Sequence, residues 1–280
     1  MSDLTVRSCR SSLFWGALRL DGLHSLNHCC ADIICIDLED AVPPGDKEKA
    51  RIELARFLKS FDPNSDTHYI VRVNEYGTEA GELDIQLLSE SPSFISHLLI
   101  PKLESAKALE NISAGLDRIQ SPLNLLGIIE TPQGLEFAGT LATVKSRLQG
   151  FYFGGFDLSN ALGCEMDWNA LLYARSRVVH AAALGSLMVI DSPPPFVDDS
   201  DSQQQLEDYC CRSKALGMMG MVTKHIDQVK KIQAVFSPSL AEIERAQRIL
   251  EMYEADPHKP IVYEGKLIEL PMIKKLKKLL

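Results

Sequence analysis

Pro122-Leu-Asn-Leu-Leu-Gly-Ile-Ile-Glu130-Thr-Pro132, a helix-length segment over residues 133–147, then Gly150-Phe-Tyr-Phe-Gly-Gly-Phe-Asp157-Leu158: this stretch decides the fold. Residues 124–129 form an apolar run of strand length closed by Glu130, and the β-prone run 151–153 is closed by Gly154-Gly155 just before Asp157. The pattern is a β-α-β unit with one acid after each strand. Parallel neighbouring strands bring those ends side by side. Two converging carboxylates make a hard, oxygen-only site, the kind that holds Mg²⁺ with substrate oxygens completing the shell. The competing reading is two acids on ordinary surface loops. Pro132 directly after one loop and the Gly pair before the other favour loops of defined shape.

The same grammar repeats in both directions along the chain. Strand-like runs occupy residues 10–16, 31–36, 69–74, 95–100, 186–190 and 220–223. Ala31-Asp-Ile-Ile-Cys-Ile36 is continuous and β-branched rather than alternating, as strands of a buried parallel sheet are. Helix-like segments lie at 22–30, 47–59, 81–89, 105–119, 168–184, 201–216, 228–235 and 239–253. Eight strands, each followed by a helix, predict an α/β fold of the (β/α)8 TIM-barrel type, with its chemistry after the strands. A doubly wound sheet gives no reason for polar residues after nearly every strand. Residues 1–255 form the predicted catalytic domain. Residues 256–280, with a turn at Glu264-Gly265 and a basic final helix, form a short C-terminal extension.

Composition narrows the partners. The 280 residues are 45% hydrophobic, enough for one large core, and carry a net charge of -9. That charge argues against nucleic acid or an anionic membrane as a broad-surface partner. No apolar run approaches 18 residues, and residues 1–7 lack the apolar core of a signal peptide. The seven cysteines show no Cys-x-x-Cys or Cys/His spacing, so they read as reduced thiols in a cytoplasmic protein.

The strand ends carry Arg10, Asp37, Glu39, Asp40, Arg72, Asn74, Lys102, Glu104, Glu130, Asp157, Asp191, Lys224 and His225. Neither a Ser-His-Asp order nor a cysteine nucleophile stands out among them. Lys102 is either a Schiff-base lysine or, with Glu104 two residues on, an ion-pair partner. The rigid fork of Arg72 suits a substrate carboxylate, or else a barrel-interior salt bridge to Asp37 or Glu39. Asp37 and Glu39 read as holders of waters or of the cationic side chains. His225 reads as a structural or surface histidine.

These pieces also run in a familiar order: Arg10-Ser-Ser-Leu-Phe, Asp37-Leu-Glu-Asp-Ala-Val-Pro, Lys47 with Ala50-Arg51, Arg72-Val-Asn74, Pro101-Lys-Leu-Glu104, Ile129-Glu130-Thr, Phe153-Gly-Gly-Phe-Asp157-Leu, Ala174-Arg175, Ile190-Asp191 and Phe236-Ser-Pro-Ser. The ordered set resembles the citrate lyase β-subunit-like family within the HpcH/HpaI aldolase group. The resemblance implies a TIM barrel, trimeric or hexameric, with Mg²⁺ on Glu130 and Asp157 and the substrate carboxylate on Arg72; Arg10 and Lys102 are further substrate-binding candidates. It implies cleavage of a 3-hydroxyacyl-CoA thioester of citramalyl, malyl or citryl type to acetyl-CoA and an α-keto acid. Glu269 matches a tail aspartate that acts from the neighbouring subunit. The chain departs from the family pattern at Trp15-Gly16, Met221, Ile226 and Glu269. An aldolase working without CoA, a malyl-CoA thioesterase and a non-catalytic lyase-like binding subunit are the alternative readings.

Overall fold

A computed structural model describes residues 9–26, 30–63, 66–89, 94–193, 200–256 and 260–279. Eight parallel strands close into a barrel: β1 (Ser11–Gly16), β2 (Ile33–Asp37), β3 (His68–Arg72), β4 (Ile95–Ile100), β5 (Asn124–Ile129), β6 (Leu148–Phe153), β7 (Met188–Asp191) and β8 (Gly220–Thr223). They follow in sequence order, and β8 pairs back onto β1 through Ser11 opposite Met221. Helices α1 (Lys47–Ser60), α2 (Glu79–Ser89), α3 (Ala106–Arg118), α4 (Pro132–Thr143), α5 (Gly155–Leu162), α6 (Trp168–Gly185), α7 (Ser200–Leu216) and α8 (Ile226–Phe236) complete this unit. The (β/α)8 barrel read from the sequence is the fold.

Side chains alternate along each strand, so one set of residues points into the barrel and the next toward the helices. The inward set is a compact apolar plug including Ile33, Cys35, Ile70, Leu99, Leu126, Ile128, Tyr152, Met188 and Ile190. The outward set, including Ile34, Ile36, Tyr69, Val71, Leu98, Ile129, Phe153 and Val189, joins the helices in the main core. The plug closes the barrel beneath its C-terminal mouth and leaves that mouth as the place for chemistry.

Local details differ from the sequence reading where tertiary contacts override propensity. The helix expected at 22–30 is instead a kinked pair of 3-10 turns, Ala17–Leu26, with Arg19 off the helical backbone; residues 27–29 lie outside the described ones. Gly22 fits there because an added Cβ would come within 2.8 Å of the Trp15 ring. Asp157 stands in the first turn of α5, an extra helix where the sequence predicts a loop.

The contacts divide the chain after Phe236. The second unit holds α9 (Leu240–Ala255), β9 (Ile261–Tyr263), β10 (Lys266–Ile268) and α10 (Leu270–Leu279). α9 belongs here rather than with residues 1–255, because Ile249 and Leu250 pack with Ile261, Ile268 and Ile273. Glu264 and Gly265, both at positive φ, make the two-residue turn of the antiparallel hairpin. Ser239 and Glu242 form a reciprocal capping box at the start of α9. Among the described residues, no helix is long and apolar enough to cross a membrane.

Candidate active site

Asp37, Arg72 and Glu130 share the strand parity of the inward plug, so all three side chains belong to the barrel mouth. Arg72 is the hub. Its Nε and Nη2 donate to the two Asp37 oxygens at 2.8 and 2.5 Å. Its Nη1 lies 2.9 Å from Glu39 and 3.1 Å from Asp40. The guanidinium also sits 5.2 Å above the Phe14 ring. Burial alone would lower the Arg72 pKa, but the hydrogen bonds and charge of Asp37, with Glu39 and Asp40, outweigh it and raise it. The interior salt bridge considered for Arg72 is therefore present, and the residue still lines the mouth. Asp37 is equally fixed, accepting the Glu39 and Ala41 N–H groups at 2.9 and 3.2 Å. Lys47 holds the same turn by donating to the Leu38 and Glu39 carbonyls.

Glu130 is almost fully buried at the end of β5, and its Oε1 accepts the Lys102 N–H at 2.8 Å. Lys102 adopts a left-handed backbone, φ 47, a cost of about 1–2 kcal/mol for a side chain with a Cβ, and this turn presents its N–H to the carboxylate. Alongside, Ile129 pairs with Phe153 and Gly154 N–H donates to Ile129 O at 3.0 Å. A Cβ on Gly154 would overlap Glu130 Cβ and lie 2.8 Å from Oε2, so glycine is what lets β6 run against the acid. Three residues on, Asp157 is exposed. Glu130, Asp157 and Arg72 line one cavity of about 420 Å³, with Phe14, Tyr152, Met166 and Val222 among its apolar walls and Thr223, Lys224, His225 and Gln228 opposite. Thr223 Oγ1 donates to Gln228 Oε1 at 2.7 Å, which fixes that carboxamide at the wall.

The acids are under-compensated. Burial pushes Glu130 up to about 8, helped by the charges of Glu39 and Asp157 and opposed by the Lys102 N–H. Burial pushes Glu39 up to about 7 against the pull of Arg72. Its buried Oε2 is near Arg72 but forms no hydrogen bond of good geometry. A mouth in which acids outnumber fixed cations calls for a further cation. Among the described residues no cluster of three or more His, Cys, Asp or Glu forms a full cage. Two carboxylates with room for waters and substrate oxygens are what Mg²⁺ uses, so Glu130 and Asp157 fit that ion.

Other expected residues lie elsewhere. Arg10 precedes β1 and stands at the opposite, N-terminal end of the barrel. There its Nε and Nη2 grip Asp32 at 2.9 and 2.7 Å, and Asp32 also accepts from Gln233. A residue before a strand cannot reach the mouth reached by residues after it, so substrate assistance from Arg10 is corrected to a structural role. Lys102 pairs with Glu75 at 3.2 Å and Glu39 at 3.9 Å, rather than with Glu104. Asp191 has the outward parity of Val189 and meets fully buried Arg175 from α6 at 3.1 Å, behind the sheet. Asn74 hydrogen-bonds buried Asp84 of α2, a residue that no strand-end reading selects. Glu269 is exposed in the second unit, where its carbonyl accepts from Met272 and Ile273 at the start of α10.

Comparison with known proteins follows the same lines. Residues 10–225 match the family model described as HpcH/HpaI aldolase/citrate lyase. A (3S)-malyl-CoA thioesterase of Cereibacter sphaeroides is 32% identical over 93% of this chain and 89% of its own length. Mitochondrial citramalyl-CoA lyase of Mus musculus is 26% identical over 87% of this chain and 76% of its own. The crystal structure of CitE from Mycobacterium tuberculosis in complex with magnesium, acetoacetate and coenzyme A shares the fold. Its TM-score is 0.78 at 22% identity, covering 97% of this chain and 96% of that one. The chain belongs to the HpcH/HpaI aldolase/citrate lyase family, and its chemistry is that of a carbon–carbon lyase.

Proposed function

We propose that this family member is a Mg²⁺-dependent lyase that cleaves a 3-hydroxyacyl-CoA thioester of citramalyl, malyl or citryl type to acetyl-CoA and an α-keto acid. The observation that carries the reading is the pair Glu130 and Asp157 at the ends of adjacent strands, lining one cavity with Arg72. Relatives named for citramalyl-CoA and malyl-CoA cleavage, and a CitE structure named for magnesium and coenzyme A, support it.

Glu130 and Asp157 would hold the ion, which when bound supplies Lewis acidity to the reacting oxygens. The chain's own groups do the rest. Arg72 is oriented by Asp37, so its Nη1 edge is the part free to exchange exposed Asp40 for the carboxylate of the substrate. The 3-hydroxyl gives its proton to solvent at the mouth, the C2–C3 bond breaks toward the thioester, and the α-keto acid leaves. The resulting thioester enolate takes one proton at carbon, which closes the proton balance. Glu269 of a neighbouring copy of the chain is the acid assigned to that step, so the working form is a homo-oligomer. Phe14, Tyr152 and Met166 exclude water from the reacting carbon.

Glu130→Ala and Asp157→Ala test the reading with citramalyl-CoA and malyl-CoA as substrates. Both variants are expected to lose Mg²⁺-dependent release of acetyl-CoA, and retained cleavage in both would contradict the assignment. The 32% identity to a malyl-CoA thioesterase favours one second reading, hydrolysis at the same site. Products separate them: a lyase yields acetyl-CoA and keto acid, a thioesterase yields free CoA and hydroxy acid.

A further inference from the structure

Asp157 stands on the first turn of α5, so the β6–α5 junction sets where its carboxylate can reach. The β6–α5 junction around Gly154 is held by a residue from the next strand. Ser192 Oγ donates to the Phe153 carbonyl at 2.7 Å and accepts the Gly155 N–H at 3.2 Å. One hydroxyl therefore spans both sides of Gly154, using its single proton on one side and a lone pair on the other. Ser192 is itself anchored, because its N–H donates to Asp191 Oδ1 at 2.9 Å. Asp191 is fully buried, held by Arg175 Nε at 3.1 Å and by the Ser213 hydroxyl. The Arg175 guanidinium in turn lies 4.5 Å from the Phe153 ring centroid and donates to the Tyr209 hydroxyl. The chain of contacts runs from a buried ion pair to the β6–α5 junction that leads into the helix carrying Asp157.

We infer that Ser192 is the positioning residue for Asp157, acting through the Gly154 junction, with Asp191 and Arg175 as its buried anchor. The inference rests on the reading of Glu130 and Asp157 as a metal site. Ser192 also lines the cavity, but its hydroxyl proton is already committed to Phe153 O, so it serves the backbone rather than the substrate. Residues that orient ligands from behind commonly change metal affinity by about 10–100-fold when removed.

The test is calorimetric titration of Mg²⁺ and Mn²⁺ into the full chain, comparing wild type with Ser192→Ala, Ser192→Thr and Ser192→Val. Thr and Val are nearly isosteric and differ in the hydroxyl, so their difference stands even if one replacement lowers stability. The expected result is near-native metal affinity in Ser192→Thr and an affinity about 10–100-fold weaker in Ser192→Val and Ser192→Ala. Melting temperatures of the metal-free forms should separate Thr from Val far less than the affinities do, which a merely structural role would not give. Equal metal affinity in Thr and Val, or native affinity in Ser192→Ala, overturns the inference. A wild type that binds neither ion, like Asp157→Asn, overturns the metal reading beneath it instead.

Discussion

Replacing Gly154 by alanine places one methyl group against the metal-site acid. The new Cβ would overlap Glu130 Cβ, sit 2.8 Å from Oε2 and 3.0 Å from Ile128 Cγ2. The protein has two ways to respond. It can keep Glu130 in place and carry overpacking strain of about 1–3 kcal/mol. It can instead shift the end of β5 away from β6, since a swing of the carboxylate alone leaves Glu130 Cβ where it is, and lose the 2.8 Å bond from Lys102 N–H, worth about 1.5–3 kcal/mol for a charged acceptor. The cheaper route sets the loss, so Gly154→Ala should cost about 1–3 kcal/mol. At about 2–4 °C per kcal/mol for chains near this size, the melting temperature falls by roughly 2–12 °C. The first route leaves a methyl group against Oε2 and the second moves Glu130 relative to Asp157, so in both cases Mg²⁺ affinity should drop at least about 10-fold. Gly115 in α3 is the control: nothing lies within 4 Å of an added Cβ, so Gly115→Ala should gain about 0.5–1 kcal/mol and leave Mg²⁺ binding unchanged. Thermal melts and titration calorimetry measure both. Native stability with native Mg²⁺ affinity in Gly154→Ala would refute the close approach of β6 to Glu130.

Arg10→Ala breaks the bidentate bond to Asp32 and should cost about 1–3 kcal/mol in chemical denaturation while kcat/KM holds; a fall in kcat/KM at full folding would return Arg10 to the substrate. Asp191→Ala leaves Arg175 buried without its counter-charge and should cost about 3–5 kcal/mol, with Arg175→Met adding little in the same background; additive losses would deny the coupling. The pH dependence has a definite sign. Glu130 is raised from 4.5 to about 8 and Glu39 from 4.5 to about 7, so the metal-free fold binds more protons than the unfolded chain. Its stability should fall as pH rises from about 4.5 to 8, while Mg²⁺ affinity rises over the upper part of that window. Melting curves against pH, with and without Mg²⁺, read both slopes, and Glu130→Gln should flatten them.

Much of this was legible in the chain. Strand length, polar residues after nearly every strand and the helix-like segments between them mark the barrel, and the Pro after one turn and the Gly pair before the other single out Glu130 and Asp157 as strand-end acids. What the strand-end rule does not carry is direction. Arg10 stands next to a strand but before it, so parallel geometry sends it to the far end of the barrel. Asp191 stands at the right end but with outward parity, so it meets Arg175 instead of the cavity. Counting in twos from the inward Met188 and Ile190 would have revealed this. Ser192 and Asp84 were not selected because their partners lie 37–39 and 10 residues away, contacts that no local pattern encodes. The 3-10 turns at Ala17–Leu26 stand where a helix is expected, with a kink at Arg19 and Gly22 close under the Trp15 ring, a tertiary contact that periodicity does not encode.

The proposed chemistry depends on Glu130 and Asp157 together holding a divalent cation. Titration of Mg²⁺ into the wild type, Glu130→Gln and Asp157→Asn tests it without any assumption about substrate. One saturable site is expected in the wild type and its loss in each variant, with all three chains folded. Undiminished one-site binding in both variants would contradict it.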